Sequence, residues 1–187
     1  YEAMPFVKLV DDCMEQNLAA CGSFKEFMRC LETTMDAYMQ KIDAAFHNTR
    51  TRPSPMNSLL SKQAISCGED VSRCGKYKNF GLHGPGIATA VESLAAIKKY
   101  VFEDKCVDAR TLIDAVKHNF EGYSELHHML RYDAPKMGND DDAADAIAVD
   151  LIEMYARVLS HYKNGFGGCY RPGTGSAMYY MWYAEDL

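Results

Sequence analysis

The sequence predicts a mostly helical chain with strand near its C-terminal end, part of a larger sheet or barrel. Three observations carry this. Apolar residues recur at helical spacing through most of the chain. Glycine and proline clusters break that spacing at 67–86 and 165–175. The run Ser176-Ala177-Met178-Tyr179-Tyr180-Met181-Trp182-Tyr183 is apolar on both alternating faces, as a strand covered on both sides requires. Such a strand needs neighbours, and no other stretch reads as a convincing parallel partner.

The elements follow in order. Residues 5–17 place Phe6, Leu9, Val10, Cys13 and Met14 on one helical face. Ser23-Phe24-Lys25-Glu26 reads as a capping box, in which the serine caps an amide and the glutamate reaches back. Phe27, Met28, Leu31, Met35, Tyr38, Met39, Ile42 and Phe46 continue that helix to about Asn48. Arg52-Pro53-Ser54-Pro55 excludes its continuation, because proline lacks the amide proton and restricts the residue before it. A shorter helix is expected over 56–65, then a loop or extended segment over 67–86. Helix resumes over about 87–102 with Val91, Leu94, Ala95 and Tyr100 inward. Asp108 is the expected cap of a helix carrying Leu112, Ile113, Val116 and Phe120, and Ser124 the cap of a short one. Asn139-Asp140-Asp141-Asp142 opens the last long helix, where carboxylates complement the macrodipole.

Composition narrows the function. The 187 residues are 48% hydrophobic and 25% charged, a globular balance with material for one real core. The net charge of -6 argues against nucleic acid as a partner. No run approaches the roughly 20 apolar residues of a membrane helix, so no membrane partner is expected. Tyr1-Glu2-Ala3-Met4-Pro5 has no signal-peptide pattern and no starting methionine, which reads as a processed or excised chain. Seven cysteines, an odd number without C-x-x-C spacing, read as free thiols of a reducing cytoplasm rather than disulfides or zinc ligands. With the eleven methionines they favour a cytosol poor in oxygen.

The candidate motifs have structural explanations. Gly81-Leu82-His83-Gly84-Pro85-Gly86 precedes a helix but matches neither the dinucleotide fingerprint nor the P-loop, so a tight turn is expected. His118, His127, His128 and His161 lack metal-ligand spacing, and no metal site is assigned. Asp140 to Asp142 read as helix-terminal charges rather than a catalytic set.

Three stretches carry a resemblance. Asn79-Phe80-Gly81-Leu82-His83-Gly84-Pro85-Gly86 with the following Ile87-Ala88-Thr89-Ala90-Val91-Glu92-Ser93-Leu94-Ala95-Ala96-Ile97-Lys98-Lys99 is the first. The second joins Phe120-Glu121-Gly122-Tyr123 to Ala134-Pro135-Lys136-Met137-Gly138-Asn139-Asp140-Asp141-Asp142. The third is Gly168-Cys169-Tyr170-Arg171-Pro172-Gly173. In this order they resemble glycyl radical enzymes, the family of pyruvate formate-lyase and the glycyl radical dehydratases, decarboxylases and C–N lyases. Weaker agreement extends through 23–36 and 53–58.

The resemblance implies an α/β fold with a ten-stranded barrel, of which this chain is a mostly α-helical segment with a few strands near its C-terminal end. It implies a backbone glycyl radical on one loop and a cysteine relay on an opposing loop. A separate activating enzyme, using S-adenosylmethionine and an iron–sulfur cluster, installs the radical. It implies an anaerobic cytoplasmic lyase or formate acetyltransferase, a homodimer acting on a small molecule and cleaving a C–C, C–O, C–N or C–S bond.

Neither radical motif is present. The family's cysteine sits in G-C-x-E, whereas Cys67-Gly68-Glu69 follows Ser66, and Cys169 has Arg171 where glutamate is required. The glycyl motif R-V-x-G-Y/F is absent, and the family's G-A-x-Y-N stands here as Gly75-Lys76-Tyr77-Lys78-Asn79. The whole of 1–187 therefore reads as one segment of a longer catalytic domain, without a catalytic residue or bound cofactor and inactive alone. Thr174, Ser176 and Met178, on one face of the strand expected after Pro172, are the expected substrate-binding residues, with Asn79 as a further candidate. The competing expectation is a standalone, non-catalytic helical binding or scaffold protein descended from the family.

Overall fold

The computed structural model describes residues 3–50, 52–140 and 142–175. In chain order these form α1 (Phe6–Asn17), a 3-10 turn (Leu18–Ala20), α2 (Phe24–Asn48), α3 (Pro55–Leu59) and α4 (Lys62–Cys67). Strand β1 (Phe80–Gly84) follows, then α5 (Ile87–Ala96), which runs on as a π-helix (Ile97–Glu103). Next come α6 (Ala109–Lys117) and α7 (Ser124–His128), the latter continued by a second π-helix (Met129–Asp133). Helix α8 (Asp142–Ser160) and strand β2 (Tyr170–Thr174) complete the order. Among the described residues, no helix is long and apolar enough to cross a membrane.

The core follows the helical spacing. Phe6, Leu9, Val10, Cys13 and Met14 of α1 are buried as a stripe. Phe27, Leu31, Met35 and Met39 of α2 are buried in a line four residues apart. Helix α1 packs on α2 and α5, and α8 packs on α2 and α5. The capping box closes with one adjustment. The Glu26 amide donates to Ser23 Oγ at 3.2 Å, while Glu26 Oε2 accepts from the Gly22 amide at 2.9 Å, one residue before the cap. Asp108 Oδ2 accepts from the amides of Arg110 and Thr111 and starts α6 as expected.

Several expectations are corrected. The single helix over 56–65 is two, because Ser61 takes extended backbone and accepts from the Ala64 amide, capping a new helix. Ser124 is no cap. Tyr123 holds the non-helical cap position, and Ser124 is already the first helical residue. Asp140 lies ahead of α8 with φ 56°, and Asp142 is that helix's first residue. The segment 67–86 contains a strand, β1, which pairs in parallel with Tyr170–Thr174. The paired strand begins at Tyr170 rather than after Pro172, because pairing with β1 sets its start. The apolar run 176–183 lies outside the described residues.

The two strands pair in parallel from Phe80↔Tyr170 to Gly84↔Thr174. Ala3 adds a parallel bridge to His83 on the other side of β1. Their register is fixed from outside the ladder. Asn164, only 3% exposed, donates from Nδ2 to the Lys78 carbonyl at 2.6 Å. Its Oδ1 accepts from the amides of Phe166 and Gly168, both at 3.0 Å. Gly168 lies so close that a Cβ there would sit 1.9 Å from the Lys78 carbonyl oxygen. The Cys169 amide then donates to Asn79 Oδ1 at 3.0 Å. From the helix side, the buried Tyr155 hydroxyl of α8 donates to the Leu82 carbonyl at 2.9 Å.

Two predictions follow from these contacts, both measured by denaturation of the intact polypeptide. Asn164→Ala removes a buried group making three hydrogen bonds, and is expected to cost about 3 kcal/mol; a loss below about 0.5 kcal/mol would contradict this account. The second concerns alkali. Burial raises the Tyr155 phenol above its ordinary 10.0, and burial followed by the Asp43 contact does the same for Tyr170. The folded state therefore holds both neutral. The stability this contributes is intact below pH about 10 and is lost as pH rises through the raised values. Tyr155→Phe is expected to lose about 1 kcal/mol at neutral pH and to flatten the alkaline decline. An unchanged alkaline slope would contradict it.

Candidate functional site

The sheet has two unlike faces. Leu82 and Tyr170 are buried on the side covered by helices. On the other side Gly81, His83 and Arg171 are exposed and Gly173 is partly exposed. A parallel sheet ordinarily has cover on both faces, so this open face is where a larger assembly would meet the chain. His83 lies across from Gly173, where an added Cβ would stand 3.4 Å from its Nδ1. Arg171 lies across from Gly81. The glycines leave room above the backbone, and the imidazole and guanidinium supply its polarity.

The expected site residues fall at different places. Asn79 stands just before β1, with its amide oxygen engaged by the Cys169 amide. Thr174 is the exposed last residue of β2, paired with Gly84. The length of the strands, roughly 15 Å for five residues, separates the two, so the structure does not bring them together. By strand alternation Thr174 falls on the face of Tyr170, and Arg171 and Gly173 on the other. Ser176 and Met178 lie outside the described residues.

The glycine-rich stretch holds packing rather than a phosphate cradle. A Cβ on Gly84 would stand 2.4 Å from the Phe6 ring, and one on Gly86, whose φ is +80°, 2.6 Å from Val7 Cγ2. The side chains of α1 already fill that space. Among the described residues, no three His, Cys, Asp or Glu side chains gather to hold a metal. His127 stacks on Phe120 at 4.8 Å, and His118 Nδ1 faces the Asp114 carbonyl. All seven cysteines are free.

Among the described residues, two of the grooves lie against α1. The first, about 370 Å³, lies between α1, α5 and α6 and is mainly apolar, with the Glu92–Lys136 pair at 3.5 Å. Burial raises the Asp11 carboxyl there. The second, about 420 Å³, lies between α1 and α2 and is lined by Asn17, Cys30, Thr34 and Lys41 among others. Sequence reasoning missed His83, Arg171 and Asn164. Alternation about Leu82 would have picked out His83, had 80–84 been read as strand. Nothing in the sequence pattern around Asn164 distinguishes it from a loop asparagine.

Comparison with known proteins places this geometry. Residues 9–184 match the family model described as pyruvate formate lyase-like. The chain is similar to trans-4-hydroxy-L-proline dehydratase of Clostridioides difficile, 32% identical over 88% of this chain and 21% of that protein. It is similar to isethionate sulfite-lyase of Desulfovibrio desulfuricans, 48% identical over 64% of this chain and 14% of that protein. The solved hydroxyproline dehydratase of Clostridioides difficile superposes with a TM-score of 0.90 at 26% identity, covering 99% of this chain and 26% of its own. The chain thus spans about a fifth of the length of the curated relatives it matches. Its helices and paired strands form a segment of an α/β glycyl radical enzyme barrel. The chain belongs to the pyruvate formate-lyase-like family of glycyl radical enzymes.

Proposed function

We propose that the polypeptide containing this chain is a glycyl radical lyase or dehydratase that breaks a C–O or C–S bond in a small hydroxylated substrate. The observation that carries this is the likeness, over most of the chain, to enzymes named for such reactions. In this reading the glycyl radical and the cysteine relay stand on loops outside the chain, since its residues hold neither motif. The radical supplies hydrogen abstraction when an S-adenosylmethionine-dependent iron–sulfur enzyme has installed it. This chain supplies wall and packing: β1 and β2 form part of the barrel, and α1, α2, α5 and α8 back them. Thr174, Ser176 and Met178 shape the substrate pocket by hydrogen bonding and packing. Asn79 acts from the far end of the sheet. The enzyme works as a homodimer in an anaerobic cytoplasm.

The test is anaerobic co-expression of the intact polypeptide with a cognate activating enzyme. Electron paramagnetic resonance is expected to show a glycyl doublet. Turnover is then expected with isethionate or trans-4-hydroxy-L-proline, read as release of sulfite or water. A radical signal without turnover of either would remove the substrate assignment. No radical under conditions that activate a relative would remove the reading altogether. In the active enzyme, Thr174→Val is expected to raise KM about tenfold, the loss of one substrate hydrogen bond. An unchanged KM would take Thr174 out of the pocket.

A further inference from the structure

We propose that Cys21 and Cys30 are an oxidisable thiol pair, a disulfide modification site joining the turn after α1 to the second turn of α2. Their Sγ atoms lie 3.9 Å apart. A disulfide needs about 2.05 Å, a closure that side-chain rotation can supply. Cys21 favours this, because it sits outside both helices with extended backbone, φ -80° and ψ 128°. Cys30 lines the groove of about 420 Å³ between α1 and α2, whose walls include Asn17, Thr33 and Thr34. That groove gives a small polar oxidant a route to the Cys30 sulfur. The third thiol nearby, Cys13, has no such route. It is fully buried and receives a hydrogen bond from Asn17 Nδ2 at 3.9 Å.

The chemistry is thiol–disulfide exchange with a low-molecular-weight disulfide such as oxidised glutathione. The Cys30 thiolate attacks one sulfur of the reagent, whose S–S bond breaks and releases one thiol. The Cys21 thiolate then attacks the Cys30 sulfur of the mixed disulfide and releases the second thiol. Two protein thiols lose two electrons, and the reagent's disulfide gains them; each protein proton ends on a released thiol. Burial, which is the first cause of the raised Cys21 thiol, persists in the mixed disulfide and slows the second step at neutral pH. The pair therefore responds to sustained oxidising conditions rather than to a brief pulse.

The test uses the intact polypeptide, purified without oxygen and then exposed to oxidised glutathione. Free thiols are alkylated and the protein is digested with trypsin and a glutamate-specific protease. Cleavage after Glu15, Lys25 and Arg29 puts Cys13, Cys21 and Cys30 on separate peptides. The expected result is a linked peptide pair holding Cys21 and Cys30, lighter than the two reduced peptides by two hydrogens, with Cys13 still an unoxidised thiol. Cys21→Ser is expected to stop the reaction at a glutathione adduct on Cys30. Cys21 and Cys30 both recovered as free thiols would overturn the proposal. So would a bond from Cys30 to Cys13. The wild-type result stands without the variant, should the variant fail to fold.

Discussion

The hydrogen bond from the Asn164 carboxamide to the Lys78 carbonyl is the constraint on which the sheet depends. The two residues are 86 positions apart, and nothing in the short strands themselves selects their register. Five-residue strands containing Gly81, Gly84, Pro172 and Gly173 have little intrinsic preference for pairing. Asn164 supplies the selection by holding the 164–168 turn against Lys78, two residues before β1. Because the group is buried, leaving any of its bonds unmade is costly, and only one alignment satisfies them all. Gly168 permits the approach, and Asn79 carries the same alignment one residue further along each chain.

The helices act on the sheet through a second buried contact. Tyr155 reaches from α8 to the Leu82 carbonyl while its ring meets Phe6 edge-on at 5.1 Å. One side chain thus joins α8, β1 and α1. Phe46 of α2 extends this layer, lying 5.4 Å from the Phe80 ring and 5.9 Å from the Tyr170 ring. One sheet face is therefore packed through Phe80, Leu82 and Tyr170, with Pro172 and Thr174 left exposed on it, and the other presents His83 and Arg171. That asymmetry agrees with a chain that forms part of a barrel wall.

Much of this was legible in the sequence where the signal is local. The long α2, its capping box and the buried stripes of α1 and α2 follow from spacing alone. The three motif stretches carried the family. What was illegible depends on distant partners. Phe80 to Gly84 reads as loop because its glycines hide a strand whose mate lies some 90 residues on. Ser124 reads as a cap because Tyr123 gives no sign that it takes the cap conformation instead. The expected binding residues were chosen by alternation on one strand, a rule that states which positions share a face but not what faces them.

The π-helical turn at Ile97–Glu103 bears on how such enzymes diverge. There the Asp104 amide reaches back five residues to the Lys99 carbonyl at 2.8 Å, where an α-helix reaches back four. One extra residue is thereby stored in the last turns of the helix, ahead of the non-helical 104–108 that lead to α6. A one-residue insertion in an ancestral α-helix would leave this trace. Gaps in an alignment of the family therefore belong inside this helix as readily as in the connections between elements. An alignment that forbids them there would turn every later residue of the helix about 100° from its true counterpart.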